Sequence, residues 1–188
     1  MSLIELMIGL AILGFLVMAG LPSMSQWLQN SQIRTAAETT LAGLQKTRAF
    51  AVQQNRPTRF TLVDAIKEGC VESDAGTSWV VSVDDPTAAG NCHVKPDEKG
   101  EGDPPRIVEV RSASEGTSNV VVAATGAGVP ASVVVFNSLG RVVAGANIDT
   151  IDISNPKGGS CEHESDDGTM SCLRIQISYG GQDRKSVV

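Results

Sequence analysis

Residues 1–21 read MSLIELMIGLAILGFLVMAGL, and the only ionisable side chain among them is Glu5. As a helix rising about 1.5 Å per residue, this stretch covers roughly 30 Å, enough to cross the hydrocarbon core of a bilayer. A secretory signal peptide fits poorly, because no basic residue precedes the apolar run and no small-residue cleavage site with a polar continuation follows it. Glu5 is the anomaly: a carboxylate inside such a segment costs about 2.5 kcal/mol or more on insertion. Residue chemistry leaves two readings open. Glu5 lies one helical turn from the amino terminus, so in a staggered stack of identical helices it reaches the α-amine of an adjacent copy. Alternatively it sits near enough to the membrane edge to reach the headgroups. Small residues at Gly9, Ala11, Gly14, Ala19 and Gly20 would let backbones approach closely. Pro22 removes a backbone donor and crowds the preceding turn, which predicts a bend in a lone subunit.

Beyond Pro22 the pattern becomes one-sided. Met24, Trp27, Leu28, Ile33, Ala37, Leu41, Leu44, Ala51 and Val52 recur at helical spacing, with Gln29, Arg34, Glu38, Gln45, Lys46 and Arg48 on other faces. Asn55-Arg56-Pro57 ends the helix, since proline disfavours helical geometry at the residue before it. The predicted organisation is an apolar helix half over residues 1–24, an amphipathic half packed on a head over 25–56, and a β-rich head over 57–188. Predicted strands are Thr58–Val63, Ser78–Val83, Ile107–Arg111, Asn119–Ala123, Ser132–Phe136, Arg141–Val143, Ile148–Ile153 and Leu173–Ser178. The fold class is therefore α+β, one long helix covering an antiparallel β-rich head.

The 188 residues suffice for one domain of ordinary size, with a formal charge of −6. That charge is unevenly divided. Residues 1–63 hold Arg34, Lys46, Arg48, Arg56 and Arg59 against Glu5 and Glu38, a net of +3, leaving −9 for the remainder. An acidic head on a mildly basic stalk has no footprint for nucleic acid. Cys70, Cys92, Cys161 and Cys172 contain no C-x-x-C pair. An even count in Gly- and Asp-rich segments suits disulfides in an oxidising compartment, and of three connectivities Cys70–Cys92 and Cys161–Cys172 close the shortest loops. Four free buried thiols are the alternative reading. A zinc cluster from Cys92, His93, Cys161 and His163 matches no structural-zinc spacing. Acidic residues gather at Asp84-Asp85, at Asp97-Glu98 with Glu101 and Asp103, and across Glu162–Asp167, without the EF-hand spacing, so they read as solvated loops. No nucleophile, base and orienting partner stand out, and neither an enzyme nor a cofactor is expected.

Ser2-Leu3-Ile4-Glu5-Leu6-Met7-Ile8-Gly9-Leu10-Ala11-Ile12-Leu13-Gly14, followed by Ala19-Gly20-Leu21-Pro22, resembles the N-terminal signature of type IV pilins and type II secretion pseudopilins. Residues Ile33–Pro57 resemble the helix of the GspH/FimT-type subgroup, and Val135–Val142 and Leu173–Gly181 resemble its final strands and glycine turns. The resemblance implies a structural subunit of a pilus-like filament outside the cytoplasm. Met1, standing where the family has Phe, would be the N-methylated first residue of a mature chain, and Glu5 would pair with the Met1 amine of a neighbour. Gly9, Gly14, Gly20 and Pro22 would serve helix packing, with a melted stretch between about Gly14 and Pro22 in a filament. Implied partners are further copies, other pilins, an inner-membrane assembly platform, a prepilin peptidase and, before assembly, the inner membrane itself. A minor pilin or pseudopilin at the filament tip, acting in DNA uptake or secretion, is the alternative. For that role Arg184 and Lys185 offer a weak DNA contact, read here as part of a solvated tail.

Overall fold

The computed structural model describes residues 3–88, 90–97, 100–117, 119–145, 147–161, 168, 170–180 and 183–187, with the side chains of all of these except 17–23, 183 and 187. One helix, α1 (Leu3–Gln53), runs for 51 residues, about 76 Å. Its backbone stays helical through Gly14–Pro22. It ends where Asn55 takes a left-handed φ of 50°. The Arg56 amide bonds back to Ala51 O (3.1 Å) and the Asn55 amide to Val52 O (3.3 Å), the two bonds of a Schellman termination, and Pro57 prevents continuation.

The strands follow as β1 (Thr58–Val63), β2 (Ser78–Ser82), β3 (Ile107–Arg111), β4 (Val121–Gly126), β5 (Val129–Pro130), β6 (Val133–Phe136), β7 (Thr150–Ser154), β8 (Leu173–Ile177) and β9 (Asp183–Val187). They form two antiparallel sheets, β3-β2-β1-β6 and β5-β4-β7-β8-β9. The helix lies against β1, β2 and β6 of the first and β7, β8 and β9 of the second. Its stripe of Ile33, Ala36, Ala37, Leu44, Phe50 and Ala51 joins Phe60, Leu62, Trp79, Val134, Phe136, Ile151, Ile153 and Ile175 in one core. The second sheet alternates buried and outward residues, as a sheet with one wet face must. In the first, the central strands β1 and β2 are buried on both faces. Behind it, Val63, Val80 and Ile107 pack with Cys70 and Cys92 in a second, smaller cluster.

Gly43 sets how closely helix and sheet approach. A Cβ there would lie 2.9 Å from Trp79 Cη2 and 3.0 Å from Phe60 Cε2, whose rings pack with centroids 5.5 Å apart. The glycine costs helix propensity, about 0.5–1 kcal/mol against alanine, and in return admits two aromatic side chains.

Cys70–Cys92 and Cys161–Cys172 are disulfides, and the described residues contain no free cysteine. The long connection between β2 and β3 is closed at its base by Asp84 and Arg106, whose guanidinium donates Nε (2.7 Å) and Nη2 (2.6 Å) to the carboxylate while the Arg106 amide adds a third bond (3.1 Å). Arg56, just past the helix, donates Nη2 to Gly100 O (2.6 Å) and lies over the Phe50 ring, fastening the same connection to the helix end.

Five structural details differ from the sequence reading. Met24, Trp27 and Leu28 are exposed at 60%, 66% and 49%, and the first fully buried helix residue is Ile33: the period marks a face but not where the head's rim lies. Arg141–Val143 is not a strand. After the turn at Gly140, Val142 makes a single bridge to Phe136, and the Asn147 side chain takes over the sheet edge by accepting from Val135 N (2.9 Å). β4 and β7 are each displaced two residues later than their predicted starts, at Val121 and Thr150. The short β5 escaped the pattern. Residues 183–187 are not a tail but the edge strand β9, paired to β8 from Leu173↔Val187 to Ile177↔Asp183.

Replacing Gly43 with valine is expected to destabilise the head by about 1–3 kcal/mol through overpacking, measured by denaturant unfolding; an unchanged midpoint would mean that the aromatic pair yields freely. The Asp84 carboxyl is held down to about 2 from an ordinary 3.8, first by the Arg106 side-chain hydrogen bonds, against the opposing effect of burial. A depressed acid stabilises the fold fully above its unfolded value and loses that contribution as pH falls towards the folded one. Asp84→Asn should therefore narrow its stability gap to the parent protein between about pH 4 and pH 2, read from thermal midpoints of the two proteins across that window.

Candidate assembly surface

Every described residue from Leu3 to Leu16 is exposed. Ten of them are large apolar side chains (Leu3, Ile4, Leu6, Met7, Ile8, Leu10, Ile12, Leu13, Phe15 and Leu16), each between 56% and 79% exposed. Fully burying one such side chain is worth about 1.5–3 kcal/mol, so ten outweigh the roughly 2.5 kcal/mol cost of taking one carboxylate out of water. Among the described residues no part of the head covers this helix half, because α1 is continuous and the head begins at the far end of the exposed run.

Glu5, Leu6, Gly9, Leu10 and Leu13 line a shallow groove along one helix face. A Cβ at Gly9 or Gly14 would meet nothing within 4 Å. Among the described residues no packing demands glycine at either place, in contrast to Gly43, so the helix gives up propensity there without a visible return within the subunit. Met1 lies outside the described residues, as do the side chains of Gly20 and Pro22; Glu5 and the glycines at 9 and 14 are the members of the sequence-derived assembly set whose surroundings are visible. Among the described residues no helix is long and apolar enough to cross a membrane. The described apolar side chains stop at Leu16 and resume at Met24, on either side of residues 17–23.

The other sequence-derived candidates are scattered. Both cysteine pairs are consumed in disulfides, His93 is an exposed loop residue, and His163 with Glu162–Asp167 falls outside the described residues. Among the described residues no three of His, Cys, Asp and Glu gather as a metal site. Asp84 is taken by Arg106 and Asp85 by Arg59 (2.9 Å), while Asp97 accepts from the Glu101 amide (2.9 Å). Arg184 and Lys185 are successive residues of β9 and so face opposite sides of the sheet. Lys185 is drawn to Glu38 of the helix at 3.6 Å, whereas Arg184 lines a cleft with Asp149, Thr150 and Gln176. They do not make a joint basic patch. What the sequence reading missed was the apolar collar of Met24, Trp27 and Leu28, which extends the exposed surface beyond Pro22; the exposed tryptophan was its available signal.

Comparison with known proteins agrees with this geometry. The sequence profile of the family described as "Type II transport protein GspH" matches residues 36–185. No curated protein gives a significant match. Two crystal structures of the type IV minor pilin FimU of Pseudomonas aeruginosa (strain PAO1) are similar in fold. One superposes with a TM-score of 0.52 at 15% identity, covering 81% of this chain and 91% of that one. The other gives a TM-score of 0.55 at 14% identity, covering 85% and 92%.

With Arg184 and Lys185 on opposite faces, their joint replacement by alanine is expected to leave retention of duplex DNA in a gel-shift titration unchanged; a clear drop in affinity would restore a nucleic-acid role for the C-terminal strand.

Proposed function

Since the chain belongs to the GspH family, we propose that it is a structural subunit of a type IV pilus-like filament outside the cytoplasm, with the exposed half of α1 packed among the helices of neighbouring subunits. The ten exposed apolar side chains of Leu3–Leu16 carry this reading. Glu5 then supplies register: a carboxylate entering an apolar bundle needs a positive partner, and the Met1 amine of an adjacent subunit is one of suitable charge. Gly9 and Gly14 admit that neighbour's backbone. Before assembly the same segment holds the subunit in the inner membrane, where a prepilin peptidase, N-methylation of Met1 and an assembly platform belong to the scheme. The head, with its surplus of acidic groups, stays in water and gives the filament its exterior. This is an interaction role, and no catalytic residue is assigned.

A second reading is a low-copy minor pilin or pseudopilin at the filament tip, acting in DNA uptake or secretion. It draws on the family description, which is that of a transport protein, and on the solved relatives, which are minor pilins.

Glu5→Ala is expected to reduce incorporation into sheared filaments at least about tenfold, the consequence of losing roughly 1.4 kcal/mol or more of pairing, while the head's thermal midpoint stays unchanged. Filaments containing the variant at parental level would overturn the pairing role. Immunogold labelling separates the two readings, since a structural subunit decorates the whole fibre and a tip subunit only its end.

A further inference from the structure

Where the exposed part of α1 meets the head there is a polar notch lined by Trp27, Asn30, Ser31, Arg34 and Ser171. We propose that this notch holds the phosphodiester of a phospholipid headgroup while the subunit waits in the bilayer, an inference that rests on the membrane-held stage proposed above.

Height is the first observation. Glu5 and Trp27 are 22 residues apart on one continuous helix, about 33 Å along its axis, against a hydrocarbon core of about 30 Å. With Glu5 at one boundary, Trp27 falls at the other. The exposed apolar side chains end at Trp27 and Leu28, Gln29 to Gln32 are half-buried, and Ile33 is inside the head. A two-thirds exposed indole at that level suits the headgroup layer, where an apolar ring with one N–H donor is favoured over both water and hydrocarbon.

Chemistry is the second. Trp27, Asn30, Ser31 and Arg34 follow the i, i+3, i+4, i+7 spacing of a single helix face. The Asn30 side-chain oxygen accepts from the Ser171 amide (3.0 Å), so it holds the second sheet's β8 approach beside the notch and leaves the Asn30 amide group as a donor. Arg34 is exposed and enters no ion pair among the described residues. The nearest acid along the helix, Glu38, is drawn to Lys185. Among the described residues the lining therefore offers a guanidinium, an amide, a hydroxyl and an indole N–H, and no carboxylate. A guanidinium fork matches two oxygens of one phosphate. The acidic head would otherwise be repelled by an anionic bilayer surface, so this cation beside the membrane fixes the height and rotation of the head before extraction.

The test uses the full chain reconstituted in vesicles of phosphatidylethanolamine and phosphatidylglycerol carrying bromine at shallow or deep acyl positions. Insertion is scored separately by protection of residues 3–16 from protease. Trp79 is buried in the head core, and Trp27→Phe identifies the Trp27 signal. Quenching of Trp27 by shallow bromine is expected to exceed that by deep bromine, and Arg34→Gln should cut the shallow quenching by about half or more, with Arg34→Lys recovering part of it. An inserted helix with Trp27 unquenched, or an Arg34→Gln protein indistinguishable from the parent, overturns the headgroup site and leaves the membrane stage standing. Arg34-dependent binding of inorganic phosphate by the detergent-solubilised chain, with no Arg34-dependent quenching in the vesicles, would assign the notch to free phosphate and overturn the lipid. Absence of protease protection overturns the membrane stage itself, and the site with it.

Discussion

Everything in this molecule depends on the burial of one helical stripe, Ile33 to Ala51, between two sheets. That contact fixes the helix axis against the head, with Gly43 allowing Trp79 and Phe60 to come within van der Waals distance of its backbone. Because α1 continues without a break, anchoring its second half forces the first half to stand clear. The exposed apolar surface is therefore a consequence of a well-made core rather than a defect of the fold. A flexible joint between the halves would let the apolar segment fold back onto the head and hide.

Ion pairs add orientation more than energy. Lys46 meets Glu109 of β3 at 2.8 Å, and Lys185 of β9 approaches Glu38 at 3.6 Å, so each sheet has an edge strand tethered to the helix. These side chains are partly to largely exposed, and such pairs typically contribute about 0–1 kcal/mol. The Asp84–Arg106 pair is different in kind: three hydrogen bonds converge on one carboxylate at the neck of a long connection. Together with the buried Cys70–Cys92 bridge, it holds Cys92 and Val94 of that connection against the back of the first sheet, beside Val63, Val80 and Ile107.

Much of this was legible in the sequence because it is carried by local pattern. A run with one acid in 21 residues, a stripe at helical spacing from Ile33, and β-branched stretches bounded by Gly, Pro and Asp announced a protruding helix and a β-rich head. What was not legible depends on partners distant in the chain. Nothing near Gly43 says that two aromatic rings from separate strands converge on it. The sequence Asp183-Arg184-Lys185-Ser186-Val187 has no apolar alternation, and it becomes a strand because β8 presents an edge of unpaired backbone groups. Trp27 follows the period of the buried stripe, but periodicity continues past the point where the head ends. Asn147 reads as a loop residue until its side chain is seen closing the edge of β6.

Continuity of the helix also links the head's surface to whatever the apolar half meets. Each residue advances the helix by about 1.5 Å and turns it by about 100°, so locking Gly43 against Trp79 sets the direction in which the Glu5 and Gly9 groove faces. In the proposed stack of copies, a groove that accepted a neighbour would thereby dictate which sides of the two heads come together, without any need for strong head-to-head contacts. An acidic, hydrated head suits that division of labour. In the proposed filament, cohesion would come from non-directional burial of the apolar half, directional information from one carboxylate and two glycines, and the transmission between them from a backbone that never leaves helical geometry between Leu3 and Gln53.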